Sequence, residues 1–146
     1  MLTNVEEQRK LVVEEAITWV GTPYHHDAAI KGVGVDCGRL LLRVGVNVGL
    51  IDPIHVESYS EQWFLHRGEE KYIGWLEKFT KRIEGPPLPG DLVVYKFGHC
   101  YAHGAIVIDW PLIIHAYRSE KKCVWGNASM GDLAKRKKVF YSLWGP

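Results

Sequence analysis

Neither sign of charge dominates this chain: 18 Lys and Arg stand against 17 Asp and Glu, a formal net charge of +1. No global field therefore draws it to nucleic acid or to a membrane surface. Long apolar runs are missing as well. None approaches the ~20 residues that a membrane-spanning helix requires, so neither nucleic-acid binding nor membrane insertion is expected. Residues 1–10 are polar and acidic, without the basic and apolar regions of a secretory signal. The expectation is synthesis in the cytoplasm without a signal peptide, so that work outside the cell needs another delivery route. Cysteine is scarce: Cys37, Cys100 and Cys123 are an odd count whose spacing fits neither a disulfide framework nor a zinc site. His-Glu-x-x-His and Cys-x-x-Cys patterns are absent. His25-His26-Asp27 is the nearest approach to a ligand group, and neither a metal nor a cofactor is expected. Repeats, linkers and low-complexity segments are also missing.

What remains is an ordinary globular balance, 47% apolar and 24% charged. A chain of 146 residues fits a single domain, residues 1–146, with a core large enough to need no cross-links. Residues 5–20 read as a helix with Leu11, Ala16, Ile17 and Val20 on one face and Glu14 and Glu15 outward. Gly21-Thr22-Pro23 breaks it, and residues 24–35 read as a Gly-punctuated loop. A second helix is expected from Asp36 to about Val48, with Asp36 as N-cap, a stripe of Leu40, Leu41, Val44 and Val48, and Gly45 at a close approach. Residues 52–60 read as loop, and the aromatic-rich residues 61–79 as short helices. Gly85-Pro86-Pro87-Leu88-Pro89-Gly90-Asp91 separates this helical half from strands at 92–97, 103–109, 113–117, 123–125 and 139–143. Helices first and strands afterwards predict an α+β fold, with the helices packed on one antiparallel sheet. The basic run 135–138 reads as a solvated strand edge or turn, since no aromatic stacking platform surrounds it.

Three residues stand out chemically. Cys37 follows Asp36 at the start of the second helix, where free amides and the helix dipole favour an anion, so its thiol is expected to ionise more readily than usual. His103 opens one expected strand and His115 lies inside the next. Brought beside Cys37, His103 would take the thiol proton and return it to a leaving amine, while His115 would fix the tautomer of His103. Taken singly, each reads more readily as a buried inert thiol or a satisfied histidine. Their order along the chain is more specific than any one of them.

The segments Trp19-Val20-Gly21-Thr22-Pro23-Tyr24-His25-His26, Lys31-Gly32-Val33-Gly34-Val35-Asp36-Cys37, Pro89-Gly90-Asp91-Leu92-Val93, Ala102-His103-Gly104 and Ile114-His115-Ala116 stand in that order. The chain resembles the NlpC-type, papain-like cell-wall cysteine peptidases. Tyr59-Ser60-Glu61-Gln62-Trp63 and His66-Arg67-Gly68-Glu69-Glu70 make the phage branch the most similar. The resemblance implies a minimal papain-like fold and hydrolysis of peptide bonds in peptidoglycan stem peptides. It also implies an association with a phage tail or prophage particle, phage tail-tip proteins as partners, and the cell wall as the place of action. By the same resemblance, Cys37, His103 and His115 match the catalytic positions. Tyr24 matches an aromatic beside the nucleophile, and Asp36 matches an acidic position that in some members binds a substrate amine. Gly38-Arg39 departs from the usual Ser-Gly or Leu-Gly after the cysteine, and Ala28-Ala29 replaces a Gly-Gly pair. Arg39 is expected to deepen thiolate stabilisation, bind a substrate carboxylate or block the cleft. Two alternatives therefore stand beside the peptidase: a catalytically impaired structural or binding component of a phage tail, and a papain-like amidase or acyltransferase acting on a non-peptide substrate.

Overall fold

The computed structural model describes residues 4–52 and 71–145. The segments 59–63 and 66–70, which carry the likeness to the phage branch, lie outside the described residues, as does most of the expected helical stretch 61–79.

Helix α1 spans Val5–Thr18. The Asn4 side chain accepts from Glu7 N at 2.8 Å, and Glu6 and Glu7 place negative charge at the positive end of the helix. Its inward face differs from the expected one. Val12, Ala16 and Trp19 are buried, whereas Leu11 and Ile17 are exposed. Trp19, the largest of these apolar side chains, sits seven residues after Val12 and four after Glu15, and fixes which stripe turns inward. Its Nε1 donates to Glu15 at 2.8 Å, and Glu15 also takes Asn47 at 2.9 Å and Lys31 at 3.0 Å. Glu15 thus tethers three elements and does not point outward as the sequence suggested.

The stretch read as a loop contains a small hairpin, β1 (Ala29–Ile30) and β2 (Gly34–Val35). Strands of two residues are too short to show alternation. Helix α2 follows at Cys37–Asn47, capped by Asp36, whose carboxylate accepts from Arg39 N at 2.8 Å. Leu40, Leu41, Leu42 and Val44 are buried. Gly45 lies against Ile51, and a Cβ there would collide with the Ile51 side chain. Helix α3 covers Lys71–Leu76.

Six strands form one antiparallel sheet: β3 (Lys81–Ile83), β4 (Leu92–Phe97), β5 (Cys100–Asp109), β6 (Leu112–Tyr117), β7 (Lys122–Asn127) and β8 (Lys138–Ser142). Their order is β3-β8-β4-β5-β6-β7, with a short helix α4 (Gly131–Lys135) between β7 and β8. Both faces are covered. Leu92, Val94, Ile106, Ile114 and Ala116 pack with Val12, Trp19, Leu40 and Val44 on the α1/α2 side. Val93, Tyr95, Ala105, Val107 and Ile113 pack with Ala128 and Leu133 on the other. Two-sided burial explains why residues 92–95 read as a continuous apolar run. The expected α+β architecture, helices first and a C-terminal antiparallel sheet, is the observed one.

The Pro89-Gly90-Asp91 turn is pinned to α1. Asp91 accepts from Arg9 and from Leu88 N, each at 2.8 Å, and Gly90 has φ +89, a conformation that favours glycine. Among the described residues no helix is long and apolar enough to cross a membrane.

Candidate active site

Cys37 is the first residue of α2 and is 4% exposed. The N–H groups of Cys37 and Gly38 have no partner one turn back in the helix, and both favour the charged form of the sulfur. The N–H of Gly104 on β5 approaches it from the sheet, and the Ala102 carbonyl lies 3.8 Å from Sγ. The thiol therefore rests on the main chain either side of His103. The Tyr24 hydroxyl is beside it as well, and burial together with the thiol pushes that phenol upward.

The expected ease of ionisation is not what the fold provides. Burial pushes the Cys37 thiol up to about 12, and the Asp36 carboxylate adds to the effect. The three amides act in the opposite direction but are outweighed. The helix start was read correctly; the sequence does not show how completely the sheet covers it.

His103 lies opposite Tyr95 in the β4–β5 register, just beyond a bulge, and so shares a sheet face with Tyr95. His115 lies two residues after Ile113 on β6 and faces the same way. His103 Nε2 and His115 Nδ1 are 2.9 Å apart. The rings of Phe97 and Tyr117 lie 5.7 and 5.3 Å from His103, and Tyr117 stacks on His115 at 4.6 Å. Burial drives His103 down to about 3, helped by His115 and by Arg136, and drives His115 down to about 4. Both rings are therefore neutral near pH 7, and one donates to the other. Among the described residues neither ring hydrogen-bonds the thiol. The nitrogen of His103 not engaged by His115 is Nδ1. If Nδ1 acts as base, Nε2 carries the proton and donates to His115 Nδ1, which places the His115 proton on its own Nε2.

Asp36 is fully buried and uses both oxygens internally. One accepts from Arg39 N, and the other from Asp27 N at 2.9 Å and Arg39 Nη1 at 2.8 Å. Arg39 also reaches Asp27 at 2.9 Å. The residue suggested as a carboxylate binder or a plug is thus held between two carboxylates of its own chain. A substrate amine would have to displace Arg39 to reach Asp36. His26, Asp27 and Asp36 are the one group among the described residues whose metal-ligating atoms lie within 4.8 Å of each other, and Arg39 occupies the cation position between the two acids.

Sequence reasoning did not find Tyr95, Phe97, Tyr117, Arg136 or Gly104. Tyr117 follows His115 at strand spacing, which is a readable signal. Gly104 directly follows His103; Tyr95, Phe97 and Arg136 meet the site only through strand register and the chain return through α4.

No protein-family model matches the chain, and no curated protein sequence matches it significantly. Solved structures do. The NlpC/p60 domain of the peptidoglycan hydrolase SagA superposes with a TM-score of 0.65 at 19% identity, over 90% of this chain and 96% of that one. The P60 domain of an antigen from M. avium subspecies paratuberculosis gives 0.63 at 18%, over 94% and 96%. NlpC2 from Trichomonas vaginalis gives 0.68 at 12%, over 97% of this chain but 48% of that one. The chain thus spans nearly all of the two isolated domains and under half of the larger protein. It has the small papain-like α+β fold of NlpC/P60 domains.

Proposed function

We propose that the protein is a cysteine peptidase that hydrolyses peptide bonds in peptidoglycan stem peptides. The observation that carries this reading is the placement of Cys37 among main-chain N–H groups at the α2 start and against β5, which bears His103, the partner of His115 on β6. Such donors are suited to charge that develops during acyl transfer. In this mechanism the resting thiol and imidazole are both neutral. As a stem-peptide carbonyl arrives, Cys37 Sγ attacks it and the thiol proton passes around the β5 edge to His103 Nδ1, directly or through one water. The amides at the α2 start hold the oxyanion. The proton then goes to the leaving amine, and a water activated by His103 releases the acyl group from sulfur. His115 acts through His103, holding its tautomer, and Tyr24 lines the nucleophile.

The named relatives support the substrate class, since the SagA domain comes from a peptidoglycan hydrolase. The proposed place of action is the cell wall, and the proposed carrier is a phage-tail or prophage particle; the latter rests on sequence resemblance alone. Digestion of purified peptidoglycan with product identification by mass spectrometry is the test. Wild type should release cleaved stem peptides and Cys37→Ser should release none while keeping its circular dichroism spectrum. Equal product from both would remove Cys37 from the reaction and with it this mechanism.

A second reading has one observation in its favour. The near-complete burial of Cys37, with no hydrogen bond from its thiol to His103, suits a binding component that has kept the fold without the reaction. Saturable binding of peptidoglycan without any cleavage by wild type would establish it.

A further inference from the structure

Glycines serve this chain in two ways. Gly85, Gly90 and Gly98 have positive φ, so their backbone itself favours glycine. Gly126 on β7 does not: its φ lies outside the left-handed region, and any residue could adopt its backbone. What excludes a side chain there is space. A Cβ on Gly126 would stand 2.9 Å from His115 Nε2, 3.4 Å from His115 Cδ2 and 3.2 Å from Ile113 Cγ1. The first of these is closer than a Cβ atom is found to any neighbour. Gly126 pairs with Ile113 in the β6–β7 register, and Val124 pairs with His115. The His115 ring therefore lies diagonally across the edge strand, over the place where the Gly126 side chain would be.

We propose that Gly126 is a positioning residue whose missing side chain seats the His115 ring and, through it, His103. The inference rests on the reading of His103 as the base. Three constraints act on the His115 ring: the 2.9 Å bond to His103, the stack on Tyr117, and the bare backbone at Gly126. Adding a methyl group at Gly126 leaves the backbone conformation acceptable and forces the ring tip to move. A ring that moves at Nε2 swings Nδ1 away from His103 Nε2. His103 then loses the acceptor that keeps its proton on Nε2, and its Nδ1 is no longer reserved as the base. A methyl group here should therefore impair proton transfer without touching substrate.

The test is Gly126→Ala, read in two ways. In stem-peptide hydrolysis, kcat should fall on the order of 10²-fold, the cost of an ångström-scale misplacement in a reacting array, with KM little changed. In a His115→Ala background the same substitution should cost nothing more, because the residue through which it acts is gone. Independently of activity, 15N NMR of the imidazoles should show wild-type His115 as the Nε2–H tautomer and Gly126→Ala as a tautomer mixture. Equal losses of kcat in both backgrounds, or imidazole signals unaltered by the methyl group, would overturn the proposal. If Gly126→Ala does not fold, adding Ile113→Ala removes the Cγ1 atom that the new methyl group meets while leaving the contact to His115, and the same readouts apply. Wild type that cleaves nothing would sink the peptidase reading, and the NMR comparison would still decide the role of Gly126.

Discussion

The carboxylate of Asp36 sits beside a thiol whose chemistry requires a negative charge. After burial it is the largest influence raising the thiol, and it is held there by the cap bond to Arg39 N and by the Arg39 guanidinium. Asp36→Asn keeps an oxygen for the cap and removes the charge, and Arg39 still has Asp27. The expected outcome is a Cys37 thiol that ionises at lower pH, seen as a downward shift in the pH midpoint of iodoacetamide labelling. An unmoved midpoint would mean that burial alone sets the thiol. The lost charged hydrogen bonds should cost about 1–3 kcal/mol in urea unfolding. Arg136 acts on the other partner. It is held by Asp132 at 2.8 Å and the Lys96 carbonyl at 3.1 Å, lies over Phe97, and its charge disfavours protonation of His103. Arg136→Gln should raise the pKa of His103, which a pH titration of the imidazole signals by NMR would register; a constant or lower value would contradict the charge argument. At this scale the sequence was legible in kind and not in state. Residue order singled out Cys37, His103 and His115, and the fold puts the two rings in contact and the thiol of α2 against the main chain of β5. The charge state of the thiol depends on how much sheet covers it, and the role of Arg39 on two acids, one of them twelve residues away. Neither is a property of local sequence.

Elements were legible wherever they were long enough to show a period. Strand β4 falls on the residues expected of it, and β5 to β8 differ by a few residues at their ends. The hairpin β1–β2, strand β3 and helix α4 span two, two, three and five residues and have no period to read. The face of α1 was misjudged because several rotations of its apolar residues are equally amphipathic; Trp19 and the Glu15 tether choose among them only once α2 is in place. Gly45 was readable as a close approach. Its neighbour Ile51 is 8% exposed and follows the α2 C-terminus, folded back against the helix it has just left. Gly45→Val should destabilise the protein by about 1–3 kcal/mol through overpacking, despite the gain in helix propensity. Chemical denaturation measures this, and Ile51→Ala in the same chain should recover part of the loss by making room. Equal stability of wild type and Gly45→Val would mean that the α2–Ile51 turn yields freely and does not fix the helix.

For the molecule as a whole, the buried histidine pair makes acid a threat to stability before it is a threat to catalysis. His103 and His115 are 7% and 2% exposed and are held down to about 3 and about 4, whereas in the unfolded chain a histidine titrates near 6.5. Between those values the unfolded chain binds protons that the folded chain refuses. Folding stability is therefore fully present above pH 6.5 and falls as pH drops toward the folded values. Each histidine contributes a slope of about 1.4 kcal/mol per pH unit in that window, and the pair about twice that. A domain stable by about 5–15 kcal/mol then loses a substantial share of its stability between pH 6.5 and 4.5, above the range where most carboxylates titrate. Urea midpoints across that interval should fall steeply for wild type, and His115→Asn should flatten the fall by about half. A wild-type midpoint that stays level from pH 6.5 to 4.5 would mean that the rings are charged or solvated in the folded protein. The same burial that keeps His103 neutral also removes the usual histidine limb near pH 6.5 from the rate profile. Activity should therefore hold at its neutral-pH value down to the onset of unfolding and then be lost together with the fold.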